Sequence, residues 1–140
     1  MSRPAHGPSK RTKYRVLLVE DAPDTREFLR LLLESEGYEV TTAGDGLAAV
    51  GEALREPPDA IIMDMSLPEL DGYNAARLIR REPALTDVPL IACTALNRWE
   101  WRGKAIAAGF DAFMTKPIET ERLTATLAAL IARNEQNRER

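Results

Sequence analysis

One cysteine and one histidine in 140 residues remove two kinds of chemistry at the outset. Cys93 has no partner for an internal disulfide, which fits a reducing compartment. Its apolar neighbours mark it as a small buried hydrophobe with no reactive role. His6 lies in a polar N-terminal stretch, so histidine-ligated metal centres and histidine nucleophiles lose their main candidate. Long apolar runs are missing as well. No stretch approaches the roughly 18 residues of a membrane span, and the N-terminus has no signal-peptide apolar region. Both absences predict a cytoplasmic chain with no membrane partner. Acids are missing from the first thirteen residues, where Arg3, Lys10, Arg11 and Lys13 stand, and outnumber basic residues beyond them. The formal charge of −3 therefore leaves −7 for residues 14–140. An acidic body argues against direct DNA binding, which needs a basic face. Internal repeats and low-complexity segments are also absent.

What is present is ordinary globular composition, 44% hydrophobic and 29% charged, in a length suited to one domain with a real core. Residues 1–13, with Pro4, Gly7, Pro8 and Ser9, read as a disordered basic arm. Residues 14–132 read as the domain, and 133–140 as a polar tail that frays. Within the domain, strand and helix signals alternate five times. A first strand runs from Tyr14 into Glu20 and Asp21. Asp24 is placed to cap a helix that presents Phe28, Leu29, Leu32 and Leu33 and stops at Gly37. A second strand spans Glu39 to Ala43, and Asp45 caps a helix carrying Leu47, Val50 and Leu54. The unbroken apolar run Ala60 to Met63, which ends in Asp64, reads as a strand buried on both faces. A third helix follows Gly72 and is closed by Pro83. Strand signals recur over Val88 to Cys93 and over Asp111 to Met114. Between those two strands Asn97 and Glu100 resemble a capping box for a helix weakened by Gly103. Leu123, Leu127, Leu130 and Ile131 mark the last helix. Strict alternation predicts an α/β fold with a parallel sheet, helices on both faces and right-handed crossovers.

In such a sheet the strand ends share one edge, where open α/β sheets form their ligand crevices. The polar residues at those ends are Glu20 and Asp21, Asp64, Thr94 and Lys116. Three carboxylates on neighbouring strands repel one another in a partly desolvated cleft. A divalent cation resolves that repulsion, and an oxygen-only site with few protein ligands suits Mg²⁺. Asp64 at the end of a buried strand is then a candidate nucleophile for a phosphoryl group. Lys116 and the metal would neutralise the phosphoryl oxygens, and Thr94 would hydrogen-bond one of them. Each residue alone has a plainer reading: a helix cap, a turn hydroxyl, a surface ion pair. All of them at the ends of the right strands make coincidence improbable.

At this point the chain resembles the receiver domain of two-component response regulators, over roughly Tyr14 to Ala132. The resemblance rests on Val19-Glu20-Asp21, Asp64-Met65-Ser66-Leu67-Pro68, Asp71-Gly72, Thr94-Ala95 and Lys116-Pro117, in that order and spacing. It implies a flavodoxin-like (βα)5 doubly wound sheet of order 2-1-3-4-5. It implies Asp64 as phosphoacceptor, with Glu20, Asp21, Asp64 and the backbone carbonyl of Ser66 as protein ligands of Mg²⁺. A cis peptide at Lys116-Pro117 belongs to the same pattern. Thr94 and Phe113 match the family's switch pair, which biases a surface made by the fourth helix, fifth strand and fifth helix. Ser66 and Leu96 would flank the path of hydrolytic water.

The implied partners are a histidine kinase or histidine phosphotransfer protein upstream and a protein bound through that surface downstream. A phosphorylation-dependent dimer is compatible with both. Such a domain is a signalling phosphoacceptor whose only chemistry is on itself, and no output domain is encoded here. One departure from the family is Asn97-Arg98-Trp99-Glu100-Trp101-Arg102, where two tryptophans beside arginines resemble an interface hot spot. Two other readings share the nucleophile or the fold. A haloacid-dehalogenase-type phosphohydrolase would want a second Asp where Ser66 stands, and a cap domain. A flavin carrier would want a phosphate-cradling loop in place of Glu20-Asp21-Ala22-Pro23. The basic arm and polar tail suggest a stand-alone regulator over a receiver cut from a hybrid kinase or longer regulator.

Overall fold

The computed structural model describes residues 13–67, 70–95 and 99–138, except for the side chains of residues 99–101. The arm 1–12, Pro68, Leu96 and Asn97 lie outside the described residues. Five strands, β1 (Arg15–Val19), β2 (Glu39–Ala43), β3 (Ala60–Asp64), β4 (Leu90–Thr94) and β5 (Ala112–Thr115), form one sheet of order β2-β1-β3-β4-β5. All four pairings are parallel. Five helices connect and follow them: α1 (Pro23–Ser35), α2 (Gly46–Arg55), α3 (Gly72–Arg81), α4 (Trp99–Ala108) and α5 (Thr120–Arg138). A single 3-10 turn, Pro83–Leu85, lies between α3 and β4. This is the flavodoxin-like doubly wound architecture that the alternation and the motifs predict.

The period-2 alternation of the strands divides the core in two. Leu17, Val19, Ile61, Met63, Leu90 and Ala92 face one side, where Ala49 and Ala53 of α2, Ala75, Ala76 and Ile79 of α3, and Ala105 and Ala108 of α4 meet them. Val16, Leu18, Ile62, Ile91, Cys93 and Met114 face the other, against Leu29 and Leu33 of α1 and Leu123, Leu127, Leu130 and Ile131 of α5. Three helices cover the first face and two the second, and the helix residues differ accordingly. On the crowded side alanines let the helices approach the sheet. On the other side leucines fill the space.

That division overturns two readings of the helical pattern. In α2 the inward residues are Gly46, Ala49 and Ala53, whereas Leu47 is 57% exposed and Leu54 also points outward. In α1 Leu29 and Leu33 are buried, but Phe28 is 57% exposed and so does not belong to the core face. The cap of α1 differs too. Ala22 is the N-cap with no side-chain bond, and Pro23 begins the helix, so Asp24 lies inside the first turn. A proline at the first helical position supplies the preset φ that a side-chain cap would otherwise support. Asp45 does cap α2, accepting from the Ala48 N–H at 2.7 Å, and Gly37 ends α1 with φ near 100°.

Beyond Ala132 the chain does not fray at once. Helix α5 continues to Arg138, and Glu135 accepts a 2.6 Å hydrogen bond from the Tyr14 hydroxyl at the start of the domain. Among the described residues no helix is long and apolar enough to cross a membrane.

Candidate functional site

Parallel registration puts the polar strand ends on one edge. Val19 of β1 lies beside Met63 of β3, and Asp64 lies beside Cys93 of β4, so Glu20, Asp21, Asp64 and Thr94 emerge together. Beyond β5, the Lys116 N–H donates to the Thr94 carbonyl at 2.7 Å, which brings the lysine to the same edge. The Lys116-Pro117 peptide is cis, as the motif implies. Carboxylate oxygens of Glu20, Asp21 and Asp64 lie within 4.8 Å of one another. Glu20 and Asp64 are buried and Asp21 is exposed, so the cluster opens to solvent on the Asp21 side.

Lys116 bridges the two buried carboxylates. Its Nζ donates to Glu20 Oε1 at 2.9 Å and to Asp64 Oδ2 at 3.0 Å. Burial alone would lower the lysine pKa, but the bonds to Glu20 and Asp64 outweigh it and hold the pKa above its ordinary value. Lys116 is therefore a fixed positive charge at the site. Burial pushes the Glu20 carboxyl upward, against the lowering effect of Lys116 and of the Ala22 N–H, and the negative Asp64 adds to the rise. The remaining oxygen of Asp64, Oδ1, accepts the Ser66 N–H at 3.0 Å. Beside Asp64, burial pushes the Cys93 thiol up to about 12, so it stays a neutral core group.

Such a cluster has a specific chemical capacity. Three carboxylates and one lysine carry a net negative charge in a half-buried cleft, and the donor set is all oxygen. Glu20, Asp21 and Asp64 fit a small hard cation such as Mg²⁺, which takes few protein ligands and retains waters. Asp64 pairs a nucleophilic carboxylate with an adjacent ammonium, which suits it to accept an electrophile carrying negative oxygens.

Thr94 is fully buried at the end of β4, and Phe113 on β5 is half-buried. The guanidinium of Arg102 from α4 lies over the Phe113 ring, 5.8 Å from its centroid. Trp99 and Trp101 belong to the first turn of α4, but their side chains lie outside the described residues.

Several supporting residues escaped the sequence reading. Arg26 Nη1 donates to the Glu20 carbonyl at 2.9 Å and the Ala22 N–H to Glu20 Oε2 at 3.1 Å, so the first turn of α1 holds the loop after β1. Gly72 leaves no room for a side chain: a Cβ there would lie 2.6 Å from the Asp64 carbonyl oxygen. Gly46 is equally confined, with the Leu70 carbonyl oxygen 1.8 Å from where its Cβ would stand. A glycine beside an Asp cap, as in Asp45-Gly46 and Asp71-Gly72, carries that signal in the sequence, because it offers a helix start with no Cβ to separate it from the neighbouring backbone.

Comparison with known proteins agrees with this geometry. Residues 16–128 match the pattern of the response regulator receiver domain. The chain is 31% identical over 122 residues to the DNA-binding dual master transcriptional regulator RpaA of Synechocystis, covering 87% of this chain and 51% of RpaA. It is 37% identical over 119 residues to the probable transcriptional regulatory protein TcrX of Mycobacterium tuberculosis, covering 84% of this chain and 50% of TcrX. The chain thus spans about half the length of these relatives. Among solved structures, the receiver domain of the sensor histidine kinase PA1611 from Pseudomonas aeruginosa PAO1 is 39% identical with a TM-score of 0.81. That match covers 86% of this chain and 98% of the other, which was solved with a magnesium ion coordinated in its active-site cleft.

Proposed function

The chain belongs to the receiver domains of response regulators, and from that membership and the site at Asp64 we propose that it accepts a phosphoryl group on Asp64 from a phosphohistidine donor. The observation that carries the proposal is the seat of Asp64, a buried strand-end carboxylate with a lysine on one oxygen and two further carboxylates beside it. The donor is a histidine kinase or a histidine phosphotransfer protein. An Asp64 carboxylate oxygen attacks phosphorus, the new O–P bond forms as the P–N bond breaks, and the imidazole departs with the electron pair. Lys116, cationic and already within 3.0 Å of Asp64, neutralises charge on the transferred group. Glu20, Asp21, Asp64 and the Ser66 carbonyl hold Mg²⁺, which when bound supplies further charge neutralisation for the phosphoryl oxygens. The exposed Asp21 side leaves the donor an approach, and Phe28 and Leu31 on the open face of α1 lie on the helix that begins two residues later.

The readout is the surface of α4, β5 and α5. Thr94 turns its hydroxyl toward the phosphoryl oxygens and Phe113 moves into the space it leaves, which changes the surface that Arg102 now covers. Phenylalanine has no hydroxyl, so the movement is one of packing, with no hydrogen bond at its end. The domain acts on itself and signals by binding, in the cytoplasm.

Intact mass after incubation with Mg²⁺ and acetyl phosphate tests the core of this proposal. The chain gains one phosphoryl group, Asp64→Asn gains none, and chelation of the metal prevents the gain. A folded chain that gains nothing, or an Asp64→Asn variant that gains as much, would overturn it.

A further inference from the structure

A cavity of about 430 Å³ lies at the edge of the sheet opposite Asp64, between the approach to β4, the turn before β5 and the last turns of α5. Its volume falls within the roughly 300–1,000 Å³ of small-molecule sites. Pro89 and Leu130, both buried, give it two apolar contacts, and the other side chains that line it are polar or charged.

Not all of these groups are open to a ligand. Arg80 is fully engaged, with its donors on the Thr86, Val88 and Gly109 carbonyls and on Asp111. Asp111 is occupied in turn by Arg80 and by the Leu90 N–H at 2.9 Å. Arg133 lies 3.9 Å from Asp111, and with its side chain 64% exposed that contact contributes little. Arg138 and Asp87 are exposed, and among the described residues neither has a hydrogen bond or an ion pair. Arg80 and Asp111 cancel each other. What remains is a pair of guanidinium groups on α5 and one carboxylate before β4, with Asn134 and Asn137 beside the arginines.

We propose that this cavity binds a guanine nucleotide, with its phosphate on Arg133 and Arg138 and its base edge on Asp87. A terminal phosphate carries nearly two negative charges at neutral pH and accepts paired hydrogen bonds from a planar guanidinium. Two arginines against one acid give it a net attraction. A carboxylate offers acceptors alone, so the base edge that fits it presents donors. Guanine presents two side by side, N1–H and the 2-amino group, whereas uracil presents one N–H between two carbonyls. The amides of Asn134 and Asn137 both donate and accept, which suits the guanine O6 and the ribose hydroxyls. Pro89 and Leu130 offer the face of the base an apolar seat. A free amino acid carries both charges but leaves most of the volume to water. The cavity stands apart from the Asp64 edge, so this site does not depend on phosphorylation.

Isothermal titration with GMP tests the proposal, in chelator so that no Mg²⁺ draws phosphate to the Asp64 edge. GMP binds, and UMP, guanosine, inorganic phosphate and IMP, which lacks the 2-amino group, each bind about tenfold more weakly. Asp87→Asn weakens GMP about tenfold and leaves inorganic phosphate unchanged. Arg133→Glu/Arg138→Glu abolishes the binding of both, and Arg133→Lys/Arg138→Lys retains part of it. Amide NMR shifts on titration fall on Thr86, Asp87, Gly109, Asp111 and the last turns of α5. Circular dichroism checks that each variant is folded, and Asp87→Asn, at an exposed turn, serves if the double reversal is not. No binding of GMP to the folded chain, phosphate as tight as GMP, equal affinity for GMP and UMP, or shifts centred on Asp64 would overturn the proposal.

Discussion

Arg80 ties together the end of the sheet opposite Asp64. Its Nε and Nη2 donate to the Gly109 carbonyl at 3.0 and 2.7 Å, its Nη1 to the Thr86 and Val88 carbonyls at 2.9 and 2.7 Å, and Nη2 to Asp111 at 3.0 Å. One planar fork thereby joins α3, the approach to β4 and the turn before β5. Gly109, with φ near 107°, brings its backbone against the aliphatic stem of the arginine. Arg80→Ala leaves several carbonyls without a partner and destabilises the fold by about 2–4 kcal/mol in urea unfolding. Arg80→Lys recovers only part of this, since an ammonium cannot span the same acceptors. Full recovery by lysine would show that charge alone matters there. The sequence gives no hint of this role, because an arginine near the end of a helix reads as a solvated C-terminal cation. Its acceptors come from segments up to 31 residues away. Asp64, Thr94 and Lys116 differ in this respect. Each ends an apolar run or begins a turn, so a local break in pattern marks it, and only their mutual distances needed the fold.

Helix α2 shows what the pattern of an element conceals. Its largest apolar residues, Leu47 and Leu54, are three and four positions from Val50, and a core built on size would face them inward. The sheet instead receives Gly46, Ala49 and Ala53. Three helices share that side, and small residues allow them to fit. The two glycines of α2 differ accordingly. Nothing lies within 4 Å of a Cβ at Gly51, so Gly51→Ala stabilises the protein by about 0.5–1 kcal/mol through helix propensity alone. Gly46→Ala drives a methyl into the Leu70 carbonyl oxygen and destabilises by about 2 kcal/mol or more. Leu70 lies on the loop that follows Asp64, so the same change slows phosphorylation by acetyl phosphate. Thermal melts and the mass assay, run on both variants, read these effects. Equal effects of the two substitutions would contradict the packing described here. The pattern served better in β3, where burial on both faces leaves the apolar run unbroken and Asp64 marks its end.

At the scale of the whole molecule, folding concentrates negative charge. Glu20, Asp21 and Asp64 are 44 residues apart at their extremes in the chain, yet their oxygens converge within 4.8 Å, and among the described residues Lys116 is the one cation that bridges the buried pair. The fold therefore bears an electrostatic cost that a cation held by these carboxylates would offset. Mg²⁺ at one hundred times its dissociation constant adds about 2.7 kcal/mol to the folded state. The thermal midpoint rises with Mg²⁺, and Asp21→Asn removes most of that rise. In chelator the order of the two proteins reverses, and Asp21→Asn is the more stable because it takes one charge out of the cluster. A midpoint indifferent to Mg²⁺ would argue against a cation site. The same convergence brings two stretches so distant in the chain, Glu20-Asp21 and Lys116-Pro117, to one edge of the sheet.

By itself the sequence determined the alternation of strands and helices, hence a parallel α/β sheet, and it placed a carboxylate pair, an aspartate, a threonine and a lysine at the strand ends. Those features are written in local periodicity and in where apolar runs stop, because side-chain direction in a strand or helix repeats with a short, fixed period. The tertiary structure alone decided which helix faces turn inward, that Arg80 holds three segments together, and that Arg102 covers Phe113. Those depend on how many helices share a face of the sheet and on contacts between residues far apart in the chain. Arg80 and its acceptor Gly109 stand 29 residues apart, too far for any local periodicity to pair them.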